Sequence, residues 1–403
     1  MLASRHQDYM FGLLKKVIDE IGPRPPCSEA EKKLGRLLVE EWKPICDRVD
    51  VEPFTCSPTA PLGSLYIMVL CYFVAVILYW YFPPAALVMA TVGCSILLLE
   101  ILWLREFMDF LFPLKQGENV IGTMRPRGQP TQRVVVSGHM DSAYEWNLLL
   151  YLKSASILVV VAGILAALAA FGGCLAKTIA YFNGFSDSTA LTVVGIALIA
   201  LTPVMGLLLF FTSWRPVPGA FDNLSAVSVV AGLGQYIGEA KRSEAWFPEG
   251  TEVVLLATSS EEAGHRGAKR YVKRHLEELK TIPTYGLFLE MIKDEKHLAV
   301  WKGESSTGAR HDPELVRMAQ EVATSHNWPM FVGQLPPLLT TDADSFSLNG
   351  IPAVCLTSCD PSKLDPTYHT RNDTYEHVRP ESLSVVLQLV IDMIQRIDES
   401  KKI

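Results

Sequence analysis

Four apolar runs decide most of what this 403-residue chain can become. Leu62 to Phe82 and Ala85 to Leu104 are each about 20 residues long, and Ser154 to Gly173 and Leu191 to Phe211 form a second pair. A helix of that length crosses a hydrocarbon core of about 30 Å, whereas the single buried helices of soluble cores show runs of about 10–14 residues. Pro83-Pro84 divides the first pair, and a polar segment with Lys177 and Asn183 divides the second. Tyr79, Trp80, Trp103 and Trp214 stand near the run ends, as in an interfacial aromatic belt. Each pair returns the chain to the side it left, so the remaining sequence lies on one face of a bilayer and can assemble into one domain. Glu100 is the one acid inside a run, near enough to its end to reach the headgroups.

Outside the runs, strand-like and helix-like segments alternate, the pattern of a mainly parallel sheet with helices on both faces. Strands are expected at 49–54, 119–124, 133–137, 252–257, 285–289, 298–301 and 353–357. Helices are expected at 7–21, at 223–237, 266–276, 313–325 and 380–397, and after a capping box at Ser28 to Glu31. The net charge of -7, with no long basic block, excludes nucleic acid as a partner. Eight cysteines without a CxxC pair read as reduced, buried thiols. Met1 to Asp19 carries charges throughout and lacks the apolar core of a signal peptide.

Five segments concentrate histidine and carboxylates, most of them after expected strands, where ligands gather in open α/β sheets. They are Ser137-Gly138-His139-Met140-Asp141, Pro218 to Asn223, Ser260-Glu261-Glu262-Ala263-Gly264, Leu289-Glu290-Met291 and Tyr368-His369-Thr370. Imidazole and carboxylate are the ligands zinc takes in catalytic sites. Two histidines and three carboxylates suffice for two metals if one carboxylate bridges them, and a pair about 3.5–4 Å apart can activate water against a peptide carbonyl. Of two adjacent glutamates, one can bind metal while the other serves as general base. Each motif alone has an ordinary reading, Asp222-Asn223 as a helix cap for example. Their order along the chain carries the weight.

That order, GHMDS, PGAFDN, SSEEAG, LEMI, DADSFSLNGIPAV and YHTRNDT, resembles the di-zinc exopeptidases of metallopeptidase family twenty-eight, which include bacterial leucyl aminopeptidases, carboxypeptidase Q and glutamate carboxypeptidase. Ile21 to Pro25 and the helix after it resemble that family's amino-terminal region. The resemblance implies a zinc-exopeptidase α/β fold with a mixed, mostly parallel sheet, and two Zn2+ per chain. His139, Asp222 and Glu290 would hold one zinc, and Asp222, Glu262 and His369 the other, with Asp222 bridging. Glu261 would be the general base and Asp141 would orient His139. Asp342 sits where the family has a supporting aspartate. Three positions depart from the pattern. Glu290 replaces an aspartate used by many members, Ala343 replaces a histidine, and His265 replaces an apolar residue, read as a local packing change.

His139 and Asp222 lie about 80 residues apart, more than the family needs, and removing the second apolar pair restores the expected separation. The peptidase domain is therefore expected over 1–60, 113–150 with the HxD segment, and 215–403, interrupted by transmembrane hairpins at 61–112 and 151–214. Tyr144 to Asn147 join the HxD segment almost directly to a membrane run, which places the cleft close to the bilayer. Arg105, Lys115, Lys153 and Arg215 flank the runs on the catalytic side against Lys177 on the other, which puts a multi-pass protein's catalytic domain in the cytoplasm. The expected activity is that of an aminopeptidase acting on peptide or protein N-termini. Its rivals are single-zinc acyl transfer of the glutaminyl-cyclase kind and a silent receptor or scaffold with the same fold.

Overall fold

In the computed structural model, which describes residues 5–186, 188–243 and 246–400, the chain forms two compact units. One comprises Met1–Pro58, Lys115–Tyr144 and Pro216–Ile403, the other Thr59–Leu114 and Glu145–Arg215.

The first unit is built on strands β1 (Arg48–Cys56), β2 (Lys115–Met124), β3 (Gln132–His139), β6 (Thr251–Thr258), β7 (Thr284–Ile292), β8 (Leu298–Glu304), β9 (Met330–Leu335) and β10 (Ala353–Ser358). The short strands β4 (Tyr144–Trp146) and β5 (Thr212–Pro216) pair only with each other. The order across the main sheet is β1-β2-β6-β3-β7-β10-β8-β9. Its centre, β6-β3-β7-β10, is parallel, as are β8 and β9, while β1, β2 and the β10–β8 step are antiparallel. The mixed, mostly parallel sheet expected from the alternating pattern is therefore present.

Side chains alternate across the pleat, and both faces are covered. Val134 and Val136, Val253 and Leu255, and Leu287 and Leu289 join one buried cluster with the helices Gln7–Glu20, Glu29–Trp42, Ser225–Ala240, Pro313–Ser325 and Pro380–Glu399. Val135, Val254, Leu256 and Phe288 point the other way, against Tyr271 and Val272 of helix Arg266–Leu279 and Phe346 of helix Ala343–Ser347. Helix Ser225–Ala240 is buried nearly all round, which is why its sequence lacks a polar stripe. Strand β9, absent from the sequence expectations, is a half-exposed edge strand whose pattern is too mixed to announce itself.

Differences from expectation lie mainly at element ends. Residues 220–224 form a distorted turn, with non-helical dihedrals at Asp222 and Asn223, so the helix expected from Asn223 starts at Ser225. The capping box is half formed. Ser28 accepts from the Glu31 N–H at 3.1 Å, but the Glu31 carboxylate accepts instead from the N–H groups of Cys27 (2.7 Å) and Ser260 (2.9 Å).

Among the described residues, the second unit holds four helices long and apolar enough to cross a membrane: Ala60–Tyr81, Pro83–Leu102, Asn147–Phe182 and Thr189–Phe210. Within it, the Tyr72 and Tyr79 hydroxyls donate to the carbonyls of Leu198 and Leu191, each at 2.7 Å. Glu100 does not reach outward. It is 1% exposed and accepts from the Met108 N–H at 2.9 Å, closing the turn after its helix.

Leu255 is fully buried at the centre of β6. Leu255→Ala should cost about 2–5 kcal/mol, the range for emptying a core leucine site. A lowered denaturant midpoint of the sheet unit checks this.

Candidate metal centre

The site gathers at the carboxyl ends of the parallel strands, each ligand brought in by a different segment. His139 ends β3, Glu290 lies within β7, Glu261 and Glu262 follow β6, Asp222 lies in the turn before helix Ser225–Ala240, and His369 lies in the loop after β10. His139 Nε2 is 3.3 Å from Asp222 Oδ1 and 3.2 Å from Glu290 Oε1. His369 Nε2 is 2.9 Å from Asp222 Oδ2 and 3.1 Å from Glu262 Oε1. The two oxygens of Asp222 thus face two separate sets, His139 with Glu290 and His369 with Glu262. Potential ligand atoms in each set lie within 4.8 Å of one another.

These residues fit a pair of divalent cations. Asp222 Oδ2 and Glu262 Oε1 are buried and accept no hydrogen bond, although His369 Nε2 is close to both. Carboxylate oxygens directed at an imidazole nitrogen without hydrogen-bond geometry are the arrangement of co-ligands. With neutral imidazoles, Asp222, Glu261, Glu262 and Glu290 carry four negative charges, which two divalent cations cancel. In the protein alone, protons take up that charge. Burial would lower His139, but Glu290 and Glu261 hold its imidazole well above the ordinary value. His369 is raised to about 10, burial being outweighed by Glu262 and Asp222. Burial raises Glu262 to about 7 against the pull of His369.

Each ligand-bearing segment is held by buried polar groups binding its backbone. Asp141 accepts from the N–H groups of Glu261 and Glu262, both at 3.0 Å, and its Oδ1 is 3.3 Å from His139 Nδ1. Asp373 accepts from Phe221 N (2.8 Å) and Asp222 N (3.2 Å). The Asn223 amide donates to the Leu289 carbonyl (3.0 Å) and accepts from the Met291 N–H (3.3 Å), gripping the backbone on both sides of Glu290. Arg24, fully buried, donates to the carbonyls of Gly22, Met140, Pro218 and Gly219. Burial lowers it only to about 10, with Asp373 and Asp141 opposing the fall, so it remains a cation at neutral pH. Gly219 has φ +64°, and a Cβ there would stand 2.5 Å from the Ser142 Cβ, so only glycine fits.

All seven residues named from the sequence, His139, Asp141, Asp222, Glu261, Glu262, Glu290 and His369, meet here. Asp342 stands behind them, accepting from the Thr258 hydroxyl at 2.6 Å, and burial together with the Glu261 charge raises it to about 7. Sequence reasoning gave no part in the site to Arg24, Glu31, Asn223 or Asp373. Each lies in or beside a quoted motif, but which backbone groups it binds depends on loops distant in the chain. At His265 the expected packing change is instead a polar site, since both ring nitrogens face carboxylates.

The family model described as Peptidase family M28 matches residues 204–394. Comparison with curated protein sequences gives no match. Among solved structures, the chain is similar to a zinc aminopeptidase from Bacillus subtilis, with TM-score 0.57 and 15% identity over 98% of this chain and 96% of that one. It is also similar to a glutaminyl cyclase from an Acidobacteriales bacterium (TM-score 0.57, 15% identity, 98% and 95% covered). A third likeness is to a Zn-dependent exopeptidase from Parabacteroides distasonis (TM-score 0.56, 14% identity, 96% and 97% covered). At such identities the likeness is one of fold.

A zinc ion bound here would have to displace the protons that His139, His369 and Glu262 hold, so affinity should fall as pH falls. Competition against a chromophoric chelator at pH 8 and pH 6 should show weaker binding at pH 6. Asp373→Ala should weaken zinc about 10–100-fold by the same assay, the range for losing a group that orients a ligand.

Proposed function

We propose, for a chain whose residues 204–394 belong to peptidase family M28 and whose sheet has the zinc-exopeptidase fold, a membrane-embedded aminopeptidase with two zinc ions. The observation that carries this reading is the Asp222 carboxylate, one oxygen toward His139 and the other toward His369, with Glu261 beside it.

Zinc held by His139, Asp222 and Glu290, and by Asp222, Glu262 and His369, would polarise a peptide carbonyl and acidify water. The protein's own residues do the rest. Asp141 holds the His139 ring at Nδ1, with its main-chain carbonyl at 3.1 Å and its carboxylate Oδ1 at 3.3 Å, and leaves Nε2 for ligation. Glu261 directs Oε2 toward the cluster, 3.8 Å from His139 Nε2, within reach of a water there. It takes the water's proton and returns it to the departing amine. The neighbouring carboxylates offer a free α-ammonium group a counter-charge, which favours cleavage at an N-terminus.

Membrane embedding is supported by the four apolar helices, whose outward side chains include Leu70 and Ile77 (both 59% exposed), Leu158 (71%) and Val193 (59%). Water would make that surface unfavourable, and lipid tails would not. The flanking cations Arg105, Lys115, Lys153 and Arg215 favour a cytoplasmic catalytic unit. A second reading, N-terminal glutaminyl cyclisation, is favoured by the fold likeness to glutaminyl cyclases. Complete ligand sets for two metals support the peptidase over it.

Purified protein loaded with two zinc ions should release amino acids from peptides with free amino groups and leave amino-blocked peptides intact. Release of C-terminal residues, or cyclisation of an N-terminal glutamine without hydrolysis, would replace the aminopeptidase reading. Glu261→Gln should lower kcat by at least about 10²-fold with zinc content unchanged. Maleimide labelling of cysteines introduced into exposed loops of the sheet unit should succeed only after the inner face is opened, and labelling of intact cells would reverse the orientation.

A further inference from the structure

The two oxygens of Glu261 have different surroundings. Oε2 faces the metal-ligand cluster, 3.8 Å from His139 Nε2. Oε1 is 3.2 Å from Nε2 of His265, one turn along the chain. The other ring nitrogen of His265, Nδ1, is 2.9 Å from Asp344 Oδ1, which also accepts from the Ser345 hydroxyl at 3.0 Å. The chain of groups is shut away from solvent, His265 at 2% and Asp344 at 1% exposure.

An ionised carboxylate only accepts hydrogen bonds, so an imidazole with a carboxylate at each nitrogen satisfies both by donating from both. Burial alone would strip such a proton, and the Asp344 and Glu261 charges reverse that, holding His265 well above the ordinary value. The backbone points the same way. His265 has φ +60° directly before helix Arg266–Leu279, a conformation uncommon for any residue but glycine. A side chain that keeps its place at such a position has a reason in its contacts.

We propose that His265 is the positioning residue of the general base. Anchored by Asp344, it donates to one oxygen of Glu261 and aims the other into the metal cluster. A glutamate side chain is long and flexible, and without that donor its carboxylate is free to turn away. The proposal rests on the reading of Glu261 as the base.

Glutamine places its amide nitrogen about where histidine has Nε2, and asparagine about where it has Nδ1. His265→Gln therefore keeps the bond to Glu261, and His265→Asn keeps only the bond to Asp344. With full-length zinc-loaded protein and an aminoacyl arylamide, His265→Asn should lose about 10²-fold in kcat, the cost of misplacing a reacting group by about 1 Å. KM and zinc content should not change, and His265→Gln should regain about tenfold or more of the loss. Wild-type kcat in His265→Asn would overturn the proposal. Equal losses in both variants accompanied by loss of zinc would also overturn it, because they mark a purely structural role. Crystal structures provide a readout without turnover. The Glu261 carboxylate should hold its place in wild type and His265→Gln and turn away in His265→Asn, and an unmoved carboxylate in His265→Asn would overturn the proposal. If wild type cleaves nothing, the peptidase reading fails while the crystal comparison still decides the role of His265.

Discussion

The shared carboxylate of Asp222 is the constraint around which the site is arranged. Its two oxygens face His139 and His369, residues 230 positions apart in sequence. For that to occur, the turn at 220–224 must leave helical geometry and hold a fixed place against β3, β7 and the loop after β10. Asp373 anchors the turn by two N–H groups, Asn223 fastens it to both sides of Glu290, and Arg24 binds the carbonyls of Pro218 and Gly219 just before it. Burying that many charged and polar groups is costly unless each is paired. Here Asp373, Asn223 and Arg24 are each paired with backbone.

The same device recurs. Asp141 holds the N–H groups of Glu261 and Glu262, and Glu31 holds those of Ser260 and Cys27. A carboxylate accepting two backbone N–H groups fixes a loop in position and orientation at once, because both bonds must be satisfied together. Loops that would otherwise vary in conformation become as well placed as the strands that carry them. Glu261 has supporting contacts of its own, through His265 and Asp344, on the side that faces away from the cluster.

Much of this was legible in the chain. Strand-like runs between helix-like segments marked the central strands, although the expected bounds were a few residues short at β7 and β3, since strand ends depend on pairing partners. His139, Asp141, Asp222, Glu261, Glu262, Glu290 and His369 were identifiable because their residue types and order fit one chemistry. Strand β9 was not, because an edge strand exposed on one side carries little hydrophobic signal. Glu31 read as half of a capping box and proved to hold a site loop, since a carboxylate at a helix start has two uses and the sequence does not rank them.

The sequence alone determined the apolar helices, the apolar core and the inventory of histidines and carboxylates, because these follow from local composition and period. It also placed the apolar pairs between strands of one sheet. Only the tertiary structure decided which oxygen faces which imidazole, that Glu100 turns inward, and that His265 is a polar contact of Glu261. Those outcomes depend on side chains from segments far apart in the chain meeting within hydrogen-bonding distance, and on buried charge requiring a partner wherever the fold provides one.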